Sequence, residues 1–363
     1  MDWRLRIEHT TRVAYPGPVR TSFNEARMTP LTLPTQTTLE ARVTVVPGAP
    51  VWTYHDYWGT RVSAFDLPEP HDRLLIRATA TVQTQPFPGV PASRPRPGWA
   101  ELRGRAPHGR LLEFLLPTPL TTVTAEIKQA AMNQINGLDP DEAARAISAR
   151  VRERVTYLPG ATGLHTSAQE AWDRGQGVCQ DMAQLTVALL RAAGLPARYV
   201  CGYLHPDIHA EPGRTAVGQS HAWVEYWAGS WLPLDPTSGA EVGERHVVVA
   251  RGRDHADVPP LKGIYHGPPE ADMEVMVEVT RLAPPALAVD RPAVHVRAVV
   301  GRVRGRRRRG RRHDLAGIGR TRPRRRRRRR CGVRCHGAGH GEAAAQPGPQ
   351  CYRSDPRGDD DPA

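Results

Sequence analysis

No stretch of this chain approaches the roughly 18 consecutive apolar residues that a membrane-spanning helix needs. The first residues, Met1-Asp2-Trp3-Arg4-Leu5-Arg6-Ile7-Glu8, alternate in character where a secretory leader would run positive and then apolar. Cysteine is scarce: there are five in 363 residues, and only Cys179 and Cys201 precede residue 283. Two cysteines make no disulfide framework, and an unpaired reactive thiol suits a reducing compartment. A cytoplasmic, soluble protein without a membrane partner is therefore expected. There is no acidic cluster with calcium-ligand spacing and no nucleotide-binding loop, so the sequence asks for neither metal nor cofactor.

A net charge of +13 suggests nucleic acid until it is located along the chain. From residue 283 onward there are 22 Arg, no Lys and 7 acidic residues, leaving 28 basic against 30 acidic residues before it. The basicity belongs to the tail. Residues 283–363 are dominated by Arg, Gly, Pro and Ala, with an unbroken arginine run from 324 to 330, and they are expected to be disordered. A nucleic-acid partner is confined to this tail, through counterion release. Cys331, Cys335, His336 and His340 hint at zinc spacing, although low-complexity scatter gives the same pattern. A GC-rich gene read out of frame after about residue 282 also accounts for the composition.

A length of 363 residues should hold two domains, each able to bury a core. Residues 1–85 read as β-structure. Leu5, Ile7 and His9 alternate with charged neighbours, and Arg42–Val46, Tyr57–Val62 and Leu74–Val82 are rich in β-branched or aromatic residues. Tyr54-His55-Asp56-Tyr57-Trp58-Gly59 reads as a hairpin with aromatics packed across strands. Residues 86–120 form a Pro-rich linker, densest from Pro86 to Pro97. A helix is expected over Thr121–Ile135. A second starts at Asp139-Pro140-Asp141-Glu142, with Asp as N-cap, Pro at the first helical position and Glu three residues after the cap. Its stripe of Ala143, Ile147, Val151 and Val155 predicts one buried face.

Gly175-Gln176-Gly177-Val178-Cys179-Gln180-Asp181 then leads into an apolar helical run that stops at Gly194. A cysteine at a helix N-terminus meets unpaired N–H groups and the positive dipole end, which favour a thiolate nucleophile. Cys201 sits in an apolar strand and reads as core. A polar loop from His205 to Gln219 forms a wall of the site, followed by strands His221–Trp227 and Ser230–Leu234 joined by Ala228-Gly229. Met273–Leu282 alternates as the last strand of the fold. A thiolate attacking an acyl carbon needs a base to carry the proton and a third group to fix the base's tautomer. Cys179, His221 and Asp235, 42 and then 14 residues apart, supply one of each. Asp before Pro236 is also an ordinary turn residue, and only the constellation raises Asp235 above that reading.

Gly177-Val178-Cys179-Gln180-Asp181, Ser220-His221-Ala222-Trp223-Val224-Glu225 and Leu234-Asp235-Pro236-Thr237 resemble the three motifs of the transglutaminase-like superfamily. Arg6–Thr11, Asn24–Pro30 and Glu69–Leu74 resemble the β-rich N-terminal domain of its bacterial branch, and Asp254–Pro260 with Gly263–Tyr265 its closing segment. The resemblance spans about 1–282. It implies an α+β fold: a β-sandwich-like domain (1–85), then a papain-like core (121–282) whose helix carries Cys179 and whose antiparallel sheet carries His221 and Asp235. It implies a Cys-His-Asp enzyme acting on amide bonds of peptides or proteins through a thioester, with water or an amine resolving it. The Cys179 N–H would be one oxyanion donor, and Gln169 or Trp172 are candidates for the second. Three other readings stand beside it: an arylamine N-acetyltransferase-like acyl transferase using acetyl-coenzyme A, a nucleic-acid-binding protein worked by the tail, and an inactive triad on a binding scaffold.

Overall fold

The computed structural model describes residues 2–89, 96–105, 109–218 and 220–284. Expectations for the tail beyond residue 284, and for the middle of the Pro-rich segment, lie outside these residues.

Six strands open the chain: β1 (Trp3–Val19), β2 (Thr21–Ala26), β3 (Gln36–Val46), β4 (Trp52–His55), β5 (Arg61–Leu67) and β6 (His71–Thr84). Helices α1 (Trp99–Arg105), α2 (Ala125–Gln134) and α3 (Pro140–Arg154) follow. The chain then alternates through β7 (Thr156–Tyr157), α4 (Ala168–Arg174), β8 (Gln176–Gly177) and α5 (Cys179–Ala192). Strands β9 (Ala197–Leu204), β10 (Thr215–Gly218), β11 (His221–Trp227), β12 (Trp231–Leu234), β13 (His246–Gly252), β14 (Leu261–His266) and β15 (Asp272–Leu282) complete it.

The alternation of β1 is visible as burial: Leu5 and Ile7 face a core while Arg6 faces solvent. Two sheets form this region, one ordered β10-β15-β1-β6-β3 and the other β14-β2-β5-β4. Val13, Tyr15, Phe65, Leu67, Leu74 and Ile76 meet in one of the cores. The expected hairpin is β4–β5, closed by Asp56, whose Oδ1 accepts the N–H groups of Trp58 (3.0 Å) and Thr60 (2.9 Å). The last two strands among the described residues return to these first sheets. Strand β14 pairs with β2, and β15 runs antiparallel to β1 from Arg4↔Leu282 to Ala14↔Asp272.

The third sheet, β12-β11-β9-β13, lies against α5 and shares a continuous core with α2, α3 and the Trp3, Leu5, Ile7 end of β1. Helix α3 starts at the expected capping box: Asp139 Oδ1 accepts from the N–H of Asp141 and Glu142, and Glu142 returns a bond from the Asp139 N–H. Its stripe of Ala143, Ile147, Val151 and Val155 is buried. Helix α2 begins four residues later than expected, because Thr118 and Thr121 bond each other's hydroxyls (2.8 Å) in a turn before it. The segment read as linker also carries helix α1, whose Leu102 reaches the core.

Candidate active site

Helix α5 is buried along nearly its whole length, and this fixes its first residue in space. Asp181 at its third position accepts the Val178 N–H at 2.7 Å, capping the start. Gly177 lies so near that a Cβ there would come within 2.8 Å of the Asp181 side chain. The far end closes on Gly194, with φ 90°, and a Leu195 N–H to Leu190 carbonyl bond of 2.9 Å. Cys179 therefore stands at the first turn of a rigid element, where backbone N–H groups lack helical partners.

His221 opens β11 opposite Gly202 of β9. Gly202 has a packing reason: a Cβ there would overlap the Val247 carbonyl oxygen and press on Trp223. Trp223 is fully buried and stacks beneath the His221 ring, with centroids 6.0 Å apart and planes inclined by 25°. Asp235 follows β12 in the Asp235-Pro236-Thr237-Ser238 turn and is 2% exposed.

The His221 Nε2–H donates to Asp235 Oδ2 at 2.9 Å. A carboxylate only accepts, so this bond sets the tautomer and leaves Nδ1 as the ring nitrogen free for the thiol. Burial opposes charge on His221, but its hydrogen bonds to Asp235 and Cys179, with their charges, outweigh it and raise its pKa to about 9. The Cys179 Sγ also faces the Ser220 carbonyl at 4.0 Å. Cys179 and His221 line one cleft of about 560 Å³, walled by Leu204, Pro206 and Ala216–Gly218. The expected loop wall thus contains a strand, β10, whose short alternating run pairs with β15 at the edge of the first sheet.

Sequence reading missed His246. Its Nε2–H donates to the same Asp235 Oδ2 at 3.4 Å, while the Gly243 N–H donates to its Nδ1 at 3.3 Å, which fixes the neutral tautomer. Burial, only partly offset by Asp235, holds His246 below the ordinary histidine range. Ser238 Oγ donates to Oδ2 as well (2.7 Å), and the N–H groups of Thr237 (2.9 Å) and Ser238 (3.3 Å) donate to Oδ1. Against the cost of burial, these donors depress the Asp235 pKa far below the carboxylate range. The ligand atoms of His221, Asp235 and His246 lie within 4.8 Å of one another, close enough for a metal ion. The donor pattern opposes one: both imidazoles present N–H, not a lone pair, to a carboxylate already saturated by Ser238 and backbone. The only sequence signal for His246 was its place at the head of an apolar run.

The proposed second donors lie elsewhere. The Gln169 amide joins the Thr124 N–H (3.0 Å) to Asp173, and Trp172 packs under Arg154 beside a different cavity. Cys201 is buried, and burial pushes its thiol up to about 12. Among the described residues both cysteines are free. A larger cavity of about 920 Å³ opens between β1, β3, β6 and β15, and its lining includes no cysteine, serine or threonine.

The transglutaminase-like superfamily profile matches residues 126–236, and that of the bacterial transglutaminase-like N-terminal region matches residues 5–83. Over 281 residues the chain is 42% identical to an uncharacterized protein of Mycobacterium leprae, covering 77% of this chain and 100% of that one. An uncharacterized protein of Mycobacterium tuberculosis is 34% identical over 291 residues, covering 76% and 92%. A shorter similarity, 40% over 86 residues, covers 23% of this chain and 13% of a protein-glutamine gamma-glutamyltransferase of Pseudomonas aeruginosa. A solved structure from Cytophaga hutchinsonii, named as a candidate cysteine protease, shares the fold: TM-score 0.61, 23% identity, 78% of this chain and 92% of that one.

Proposed function

This chain belongs to the transglutaminase-like superfamily, and from that premise we propose that it is a thiol enzyme acting on amide bonds of peptides or proteins through a Cys179 thioester. The observation that carries the reading is the orientation of His221. Its Nε2 is engaged by Asp235 at 2.9 Å, which leaves Nδ1 for the thiol, and its cleft holds Cys179 at a helix start.

The steps follow from that geometry. His221 Nδ1 takes the thiol proton and Sγ attacks the acyl carbon, forming the C–S bond while the carbonyl electron pair moves onto oxygen. The Cys179 N–H, unpaired in the first helical turn, holds that oxyanion. Collapse breaks the C–N bond, and the imidazolium returns its proton to the leaving amine. Water or an amine then attacks the thioester with His221 as base, giving hydrolysis or acyl transfer. Asp235 stays ionised throughout and holds the ring.

The N-acetyltransferase reading is disfavoured by the cleft lining, which among the described residues carries no Lys or Arg to meet coenzyme phosphates. Two free cysteines suit a reducing compartment, and we propose a cytoplasmic setting on that ground. The test is selective alkylation. Limiting iodoacetamide between about pH 5 and pH 8 should label Cys179 ahead of Cys201 and the tail cysteines, and His221→Ala should slow it. Equal labelling of all cysteines, or labelling of Cys179 that ignores His221, would sink the reading.

A further inference from the structure

Acyl transfer at Cys179 calls for a second donor to the developing oxyanion besides the Cys179 N–H. The strand pairing indicates where it lies. Strand β7 runs parallel to β8, with Tyr157 beside Gly177, and is fixed by Thr156 N–H to Gly175 O (2.8 Å) and Leu158 N–H to Gly177 O (2.9 Å). Tyr157 is thereby held against the strand that runs straight into Cys179. It lines the same cleft as Cys179 and His221 and is 51% exposed there.

Four other cleft side chains besides Cys179 and His221 carry donor hydrogens. Thr162 donates to Asp181, and Gln180 Nε2 donates to the Leu164 carbonyl at 3.2 Å, so both are committed. Ser220 sits just before β11 and meets the Cys179 Sγ through its backbone carbonyl, at 4.0 Å, on the His221 side. Tyr157 approaches from the opposite wall, on the strand paired with Gly177, and its hydroxyl has no hydrogen-bond partner among the described residues.

We propose that the Tyr157 hydroxyl, held beside Gly177 in the cleft of Cys179 and His221, is the second oxyanion donor of the thioester chemistry. The assignment rests on the thiol-enzyme reading above. It agrees with the local electrostatics. Burial first, and then the charges of Cys179 and Asp181, raise the phenol pKa, so the O–H proton is retained and the ring lies within electrostatic reach of the sulfur. In the reaction the thiolate adds to the acyl carbon, the oxygen becomes anionic, and the phenol O–H shortens its bond to it without giving up its proton.

The experiment compares two reactions of the same sulfur in the full-length protein. Acylation by p-nitrophenyl acetate, read as a burst of p-nitrophenolate, forms a tetrahedral oxyanion, whereas alkylation by iodoacetamide is a displacement at carbon and forms none. Tyr157→Phe should slow acylation about 100-fold and leave alkylation of Cys179 at the wild-type rate, which also certifies the fold. Acylation unchanged in Tyr157→Phe overturns the assignment. So does a parallel fall in both reactions, or a loss found in Ser220→Ala instead. A wild-type protein that alkylates at Cys179 but accepts no acyl group removes the thioester reading, and the Tyr157 role with it.

Discussion

The two ends of the His221 imidazole occupy opposite environments. At one end Asp235 is sealed, and its two oxygens collect five donors from His221, His246, Ser238 and the backbone of the turn. At the other, Cys179 opens onto a cleft of about 560 Å³, with a carbonyl at 4.0 Å as its polar neighbour on the His221 side. Rigidity is concentrated where no bond is made or broken, and the reactive side is left sparsely bonded so that a substrate can complete it. Under the proposed thiol chemistry the two ends have separate jobs: the carboxylate end sets direction, and the thiol end supplies the reaction.

Removing the chemistry should have the largest effect. Cys179→Ala should lower turnover on the order of 10^6-fold and abolish any acyl-enzyme mass, while the melting temperature stays near wild type. Removing the direction comes next. Asp235→Asn places an amide N–H₂ among donors that expect an acceptor, and turnover should fall about 10^4-fold with Cys179 intact. Its unfolding midpoint in urea should also drop, in contrast to Cys179→Ala; equal stability in the two variants would erase the distinction between the two ends.

His246→Phe tests the anchor from its far side. It leaves the Gly243 N–H without its acceptor and strips one donor from Asp235, so a loss of about 1–3 kcal/mol in stability is expected. Turnover should fall less than in Asp235→Asn, because the His221 bond remains. A stability equal to wild type would show that His246 carries none of the anchoring.

The smallest effect is on the pH dependence of stability, and its two limbs report the two ends. Asp235 titrates lower folded than unfolded, so its contribution is present above about pH 4 and is lost as pH falls below that. His221 is raised to about 9 when folded, so its contribution is full below about pH 6.5 and is lost as pH rises from there through about 9. Urea titrations across pH should show Asp235→Asn flattening the acid limb and His221→Ala the alkaline one.

What was legible in the sequence was local. The Cys179 helix, its Gly194 stop and the Asp139 capping box are written within one or two turns of chain, and the structure contains each of them. The strand–helix order followed from the same short-range patterns, while the α+β fold class came from the resemblance of the three motifs to the transglutaminase-like superfamily. What escaped reading depends on partners far away along the chain. His246 looks like any strand start until β13 folds beside β9, and β10 is four residues whose role comes from β15. Gln169 and Trp172 lie close to Cys179 in sequence, yet α4 directs them toward α2 and α3, not into the cleft. The alternation of Met273–Leu282 marks a strand, but nothing in it names β1 as the neighbour, since alternating residues fit many edges.

That return of β15 to β1 carries a consequence for the order of events at the ribosome. The N-terminal strands and the thiol loop emerge first, whereas Val277 and Val279, which line the cleft, are among the last described residues made. A nascent chain that stops short of residue 272 has the nucleophile but lacks the strand on which β10 leans. Such long-range closure is slow, because the chain must bring distant segments together before any contact rewards it. Synthesis of β15 thus completes the cleft, so the thiol stays unassembled until the chain has grown past residue 282.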